Sequence, residues 1–387
     1  MNIQITDTVK YIGVDDTTLD LFESQYVIPE GVSYNSYVIL DDKIAVMDTV
    51  DKRGMQEWEE NMKAVLNGRK PDYLVIQHLE PDHAGSIARM VELYPEVTLV
   101  GNAKTFAMLP QFFDFDLEGR TLTVKEGDVL SLGAHELTFV MAPMVHWPEV
   151  MVTYDKTDKI LFAADGFGKF GALSLTADKD WACEARRYYF NIVGKYGTQV
   201  QTLLKKAAGL DIAYICPLHG PVLSENLGYY INLYDTWSSY KPENEGVLVA
   251  YASIHGNTAN VAEYIGELLK AKGVQKVVVS DLAREDMAEA VEDAFRYDRM
   301  ILCAASYDGG VFPCMQDFLH HLQSKAYQNR KVALVENGSW APSAGKQMKA
   351  MLEPMKNLTL VEPMVTIWST MKESDRERLE EIVNQMI

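Results

Sequence analysis

The chain has 387 residues and a mass of 43.6 kDa, too long for one ordinary core and long enough for two. Its 55 acidic against 36 basic residues give a formal charge of −19, which argues against partners recognised through phosphates, namely nucleic acid and anionic membrane surfaces. No apolar run approaches the about 20 residues of a membrane helix, no basic-then-apolar leader opens the chain, and its four cysteines form no C-x-x-C pair, so the expected setting is the reducing cytoplasm, without a disulfide framework or a cysteine metal knuckle.

Short strands with turn signals fill the first part of the chain. They are expected at Ser36–Leu40, Ile44–Met47, Tyr73–Gln77, Thr98–Val100, Thr121–Val124, Leu137–Met141, Val150–Tyr154, Ile160–Ala163 and Ala213–Cys216, with helices at Met55–Leu66, Ala84–Leu93 and a longer one through Arg186–Ala208. Paired strands with interspersed helices predict helices outside two packed sheets. Near residue 245 a polar Lys-Pro-Glu-Asn-Glu stretch marks a boundary, and the pattern changes. Compact apolar runs at Val247–Ala250, Val274–Val279, Met300–Ala304, Lys331–Val335 and Leu358–Val361 read as buried parallel strands. They alternate with helical patterns at Asn260–Ala271, Arg284–Phe295, Met315–Ala326, Gly345–Met355 and Ser374–Met386. That alternation predicts a doubly wound parallel sheet. The expected domains are 1–245 and 246–387.

The densest chemistry lies at Gln77-His78-Leu79-Glu80-Pro81-Asp82-His83, between a strand and a helix. Alternation along an extended segment sends His78, Glu80 and Asp82 to one face, with His83 following at the turn. So many costly polar groups need a counter-ion, and their crowding favours two neighbouring metals over one. His146, Asp165 and His219 each follow a buried run and adjoin a Gly or Pro turn, a similar strand-end setting. The remaining histidines, His135, His255, His320 and His321, lack it.

A second constellation lies beyond residue 245. Ser253-Ile254-His255-Gly256-Asn257-Thr258 joins the first strand there to its helix, where backbone N–H groups can close around a phosphate. Ser306-Tyr307-Asp308-Gly309-Gly310 follows the third strand and Asn337-Gly338-Ser339-Trp340 the fourth. At the carboxyl edge of a doubly wound sheet these loops lie together. Tyr307 and Trp340 offer flat faces to an isoalloxazine ring, so the three loops predict FMN. The absence of G-x-G-x-x-G disfavours a nicotinamide dinucleotide.

The pattern H-x-E-x-D-H followed by His, Asp and His resembles the metal site of the metallo-β-lactamase fold, with Glu80 where the hydrolases carry His. A carboxylate there makes the site harder and better suited to iron than to zinc. Together with the flavodoxin-like loops, the chain resembles the flavodiiron proteins over essentially its whole length. The resemblance implies an αββα sandwich followed by a flavodoxin-like doubly wound parallel sheet. It implies that His78, Glu80 and His146 hold one iron, that Asp82, His83 and His219 hold the other, and that Asp165 bridges them. Tyr26, Trp147, Tyr188 and Tyr189 are candidates for the pocket lining.

The activity implied is reduction of dioxygen to water, of nitric oxide to nitrous oxide, or of both, with electrons passing through FMN. No rubredoxin-type C-x-x-C module occurs in the chain, so a separate donor is expected, such as rubredoxin or a reduced deazaflavin. A head-to-tail homodimer or dimer of dimers is the assembly implied. The competing class is a metal-dependent hydrolase with a fused flavodoxin-like regulatory domain; Glu80 and the complete loop set argue against it.

Overall fold

The computed structural model describes residues 4–176 and 179–387. It divides into two compact units, one of Met1–Tyr189 with Thr198–Tyr234 and one of Phe190–Gly197 with Asp235–Ile387.

The first unit is built on two sheets. One has six strands in the order β1 (Val9–Tyr11), β2 (Tyr37–Ile39), β3 (Ala45–Met47), β4 (Tyr73–Val75), β5 (Thr98–Asn102) and β6 (Thr121–Val124). The first three run antiparallel, and β3 through β6 pair in parallel. The other sheet has five strands, β7 (Val129–Ser131), β8 (Glu136–Met141), β9 (Met151–Asp155), β10 (Ile160–Phe162) and β11 (Tyr214–Cys216), antiparallel except for the β10–β11 pair. Tyr37, Met47 and Val75 of the first sheet and Phe139, Met151 and Phe162 of the second share one core. The sheets therefore pack face to face, each contributing the inward half of its alternation.

Two of the expected helices are broken. The single helix expected through Arg186–Ala208 is three pieces: Trp181–Tyr188, a wide π turn over Tyr189–Val193 with a tight turn at Gly194–Tyr196, and Gly197–Ala207. The cause lies in the ladder. The Tyr240 hydroxyl donates to the Gly194 carbonyl at 2.9 Å and accepts the Gly197 N–H at 3.1 Å, so a side chain takes partners that a continuous helix would use. The helix expected over Ala84–Leu93 is likewise a single turn, Pro81–Ala84, and then Ile87–Leu93.

The second unit holds a sheet with β12 (Asn244–Ala252), β13 (Val277–Asp281), β14 (Tyr297–Tyr307), a short return strand β15 (Gly310–Val311), β16 (Lys331–Asn337), β17 (Thr359–Leu360) and β18 (Val365–Ile367). The order along the sheet is β13-β12-β14-β16, with β17 and β18 both on β16, and all of these pair in parallel. This is the flavodoxin-like order, with its switch point between β12 and β14. The single fifth strand expected at Leu358–Val361 is thus two short pieces. Pro363 lies between them and has no N–H to give the ladder.

His135, one of the four histidines that the sequence set apart from the candidate ligands, lies in the turn between β7 and β8. Its Nδ1 lies 2.8 Å from Asp155 Oδ2 and its Nε2 3.0 Å from the Thr8 hydroxyl. That hydroxyl lies 3.1 Å from Asp158 Oδ2, so two carboxylates and a hydroxyl surround the ring. The hydrogen bond to Asp155 raises its pKa against the opposing effect of burial. A raised pKa contributes stability that is fully present below the unfolded-state value of about 6.5 and is lost as pH rises through the folded value. His135→Gln is therefore expected to destabilise the protein more at pH 6 than at pH 9; denaturant midpoints of both proteins at both pH values check this, and a penalty that grows with pH contradicts it. Phe139→Ala, deep between the sheets, is expected to lower the unfolding free energy by about 3–5 kcal/mol in the same assay.

Candidate metal centre and flavin cleft

Strand β4 delivers the chain to Gln77, whose backbone and side-chain N–H groups both donate to Asp48, each at 2.8 Å. Past the strand end at Val75 the chain bends at Gln77, reaches Glu80 (φ −58°, ψ 136°) and turns helical at Pro81, a residue favoured in the first turn of a helix. The expectation of one alternating face running as far as Asp82 is corrected here. His78 and Glu80 share a face by the two-residue period, whereas Asp82 leaves it and goes with His83 in the helical turn. One short segment thereby feeds two separate clusters.

In the first cluster Glu80 Oε2 lies 3.2 Å from His78 Nε2 and 3.0 Å from His146 Nε2. In the second, Asp82 Oδ2 lies 3.3 Å from His83 Nε2 and 3.2 Å from His219 Nε2, and the two imidazole nitrogens are 3.1 Å apart. Asp165, fully buried, stands between them. Its Oδ2 is 3.3 Å from His78 Nε2 and 3.1 Å from His146 Nε2, and its Oδ1 is 3.2 Å from His83 Nε2 and 3.8 Å from His219 Nε2. All seven residues singled out as metal ligands in the sequence are brought together.

The fit to a pair of cations can be tested on the unpaired atoms. Both oxygens of Asp82 and of Asp165 are buried without a hydrogen-bond partner among the described residues, although imidazole nitrogens surround them. Donors each about 2.1 Å from one ion at near right angles are about 3 Å apart, so these spacings are those of ligands sharing an ion. Charge agrees. Burial lowers the His78 and His146 pKa values, yet Asp165, Glu80 and, for His78, Glu149 outweigh it and raise both, His146 to about 9. Burial raises the Glu80 pKa and its contacts with His146 and His78 more than reverse it. The cluster demands positive charge. Four imidazoles and three carboxylates without a thiolate suit iron.

Two orienting partners were not legible in the sequence. Glu149, buried, places Oε1 2.8 Å from His78 Nδ1 and accepts the Leu79 N–H at 2.9 Å. The Ser33 carbonyl accepts from His219 Nδ1 at 2.7 Å. Each turns the Nε2 lone pair of its histidine toward the cluster. An acid three residues after a ligand histidine was the available signal for Glu149, and it looks like any surface acid.

The four aromatic candidates divide. Trp147 stands edge-on to His78 with centroids 5.3 Å apart, and Tyr188, fully buried, lies 5.4 Å from His219. Tyr26 packs against Phe170 at 6.3 Å and Tyr189 against Tyr234 at 5.1 Å, one ring further out. A polar mouth of about 250 Å³, lined by Glu23, Ser24, Tyr34, Asp51 and Arg53 among others, reaches Glu80 and Asp82. Arg53 is pinned there by Asp51 Oδ1 at 3.0 Å and the Tyr34 hydroxyl at 2.9 Å.

At the carboxyl edge of β12, β14 and β16 a cleft of about 470 Å³ opens. Ser253, Ile254, His255, Asn257, Thr258, Ser306, Tyr307, Asp308, Gly309, Asn337, Gly338, Ser339 and Trp340 line it, as do Ser343 and Ser369, which the sequence did not single out; Gly256 and Gly310 adjoin it within the same loops. Asn337 ties the last of these loops in place, donating to the Ser369 carbonyl at 2.9 Å and accepting its N–H at 3.0 Å. Gly256, at φ +90°, starts the helix Asn257–Ala271, and no side chain caps it, so its first N–H groups are available to a phosphate. Trp340 is 89% exposed and Tyr307 44%. Large exposed rings at the rim of a polar cleft fit a flat isoalloxazine between them.

Residues 32–220 match the family described as ODP family beta lactamase, and residues 248–365 match a flavodoxin domain. The fold and site thus define a β-lactamase-type metal domain joined to a flavodoxin domain. The pairing is that of the flavodiiron proteins, and the chain belongs to them. It is 28% identical over 393 residues to a nitric oxide reductase of Moorella thermoacetica, covering 98% of this chain and 96% of that one. Among solved structures it is similar to rubredoxin oxygen:oxidoreductase of Desulfovibrio gigas (TM-score 0.93, 24% identity, 100% and 98% covered) and to the flavodiiron protein of Giardia intestinalis (TM-score 0.89, 23% identity, 100% and 96% covered).

Glu149→Gln is expected to leave the fold intact and weaken metal retention about 10–100-fold. Competition with a chelator, followed by metal analysis, reads this directly; unchanged retention contradicts the orienting role.

Proposed function

We propose that this protein is a flavodiiron oxidoreductase that reduces dioxygen to water and nitric oxide to nitrous oxide, dioxygen being favoured, with electrons supplied through FMN by an external donor. The observation that carries this reading is Glu80, a carboxylate between His78 and His146 where a zinc hydrolase of this fold has an imidazole.

The residues proposed to hold the irons are His78, Glu80 and His146 on one side, Asp82, His83 and His219 on the other, and Asp165 between. The loops Ser253–Thr258, Ser306–Gly310 and Asn337–Trp340 hold FMN. The metal domain is taken as 1–245 and the flavin domain as 246–387. Bound there, the irons supply gas binding and electron transfer, and FMN relays the electrons. The protein's own part is to orient and enclose. Glu149 and the Ser33 carbonyl fix two imidazoles, and Trp147, Phe22 and Tyr188 wall the ligands from bulk water. The polar mouth with Glu23 and Arg53 gives water and protons a hydrated way in.

A rubredoxin or a reduced deazaflavin is the proposed donor, a head-to-tail homodimer or dimer of dimers the assembly, and the cytoplasm the location. Four cysteines without a C-x-x-C pair in the sequence support a reducing compartment, and no helix among the described residues is long and apolar enough to cross a membrane.

Metal and flavin analysis of the purified protein, with a visible spectrum, is expected to find about two irons and one FMN per chain. Zinc with no yellow colour would return the chain to the hydrolases. With a chemically reduced donor both gases are expected to be consumed, dioxygen faster; negligible dioxygen uptake beside rapid nitric oxide loss overturns the preference. Glu80→His is expected to shift the metal bound from iron toward zinc and to lower gas turnover about tenfold or more.

A further inference from the structure

The metal cluster has a second neighbour besides its polar mouth. Within the first unit lies a cavity of about 100 Å³. The strands contribute Val152, Leu161 and Ile215 to its lining, and the helix Gly197–Ala207 contributes Val200, Leu204 and Ala207. Its inner end is made by Val145, Gly166 and Phe167. Val145 immediately precedes His146, and Gly166 immediately follows Asp165, so one thickness of chain separates the cavity from two cluster residues.

Tyr234 is the only polar side chain in this lining. Its hydroxyl accepts the Phe167 N–H at 2.6 Å, and its ring stacks on Phe167 with centroids 4.2 Å apart. A water needs two to four polar partners to settle in a cavity, and it occupies about 30 Å³ of the liquid. This space is therefore large enough for a diatomic molecule or a xenon atom, and too apolar to hold water well.

We propose that this cavity is a binding site for the small apolar gas that the cluster reduces, holding it beside the Val145–His146 and Asp165–Phe167 segments. The inference rests on the reading that the substrate is a gas. Dioxygen and nitric oxide are only weakly solvated by water and partition into apolar space, while water and protons keep to the mouth at Glu23 and Arg53. The two requirements of the reaction are thereby met through different spaces, one polar and one apolar.

Xenon-pressurised crystals of the iron- and flavin-loaded protein test the binding site itself. Xenon is expected between Phe167 and Leu204, and an empty cavity under pressure overturns the proposal. Ala207→Phe fills the outer part of the space from a partly exposed helix position. It is expected to abolish xenon binding and to raise KM for the gas about threefold or more, with kcat at saturation, iron content and flavin spectrum unchanged. An unchanged KM in that folded variant also overturns the proposal. Should Ala207→Phe fail to fold, xenon in the unsubstituted protein still decides. A loaded protein that takes up xenon here but consumes neither gas would remove the functional reading and leave the apolar site standing.

Discussion

Everything in the metal domain turns on Asp165. It is a fully buried carboxylate whose two oxygens face different imidazole groups, Oδ2 toward His78 and His146 and Oδ1 toward His83 and, at longer range, His219. An isolated carboxylate in such a place would be protonated or expelled. It persists because the elements around it deliver positive or cation-seeking groups from four directions. The strand-to-helix switch at Pro81 supplies two, and the loops after β8 and β11 supply the others. The two-sheet sandwich is what brings those chain ends to one edge, since each ligand segment follows a strand whose other end is anchored in the shared core.

The seven residues that meet in the cluster and the three loops that line the cleft were legible in the sequence because each stands at the end of a buried apolar run, where a polar residue is conspicuous. The parallel order of the second sheet followed from the same alternation of strand and helix. What was illegible depended on partners distant in the chain. Glu149 gains its meaning only when β9 lies beside the His78 segment, and Ser343 and Ser369 join the flavin cleft only when the ends of β16 and β18 meet. The division of the His78–His83 segment into two clusters needed the backbone itself, because an extended and a helical reading send Asp82 to different places. The break at Tyr189–Val193 needed Tyr240, far along the chain, to compete for the carbonyl of Gly194.

The two cofactor sites are built on different physical terms. The cluster is a small volume of concentrated charge in which two of the histidines are fixed by a second hydrogen bond, His78 by Glu149 and His219 by Ser33. Such rigidity suits ions, whose affinity depends on the spacing of a few atoms. The flavin cleft is an open groove of loops with exposed rings at its rim, and its order comes from the ties between Asn337 and Ser369 and between Ser306 and the start of the helix Ala344–Leu352. A large planar group tolerates that looser frame because its binding is spread over many contacts.

A consequence follows for how the cluster meets its surroundings. Ligands that must stay charged need a hydrated, polar approach, and the mouth at Glu23, Tyr34 and Arg53 provides one. A neutral diatomic gains nothing from that approach and competes there with water. At Val145–His146 and Asp165–Phe167 each segment gives one residue to the cluster and its neighbour to the lining of an apolar cavity. The same backbone that fixes His146 and Asp165 is therefore also the wall of the dry space. Burial of the ligands and access for an apolar substrate are served by adjoining residues: Val145 and Gly166 flank His146 and Asp165 in the chain and line the space in which a gas is most soluble.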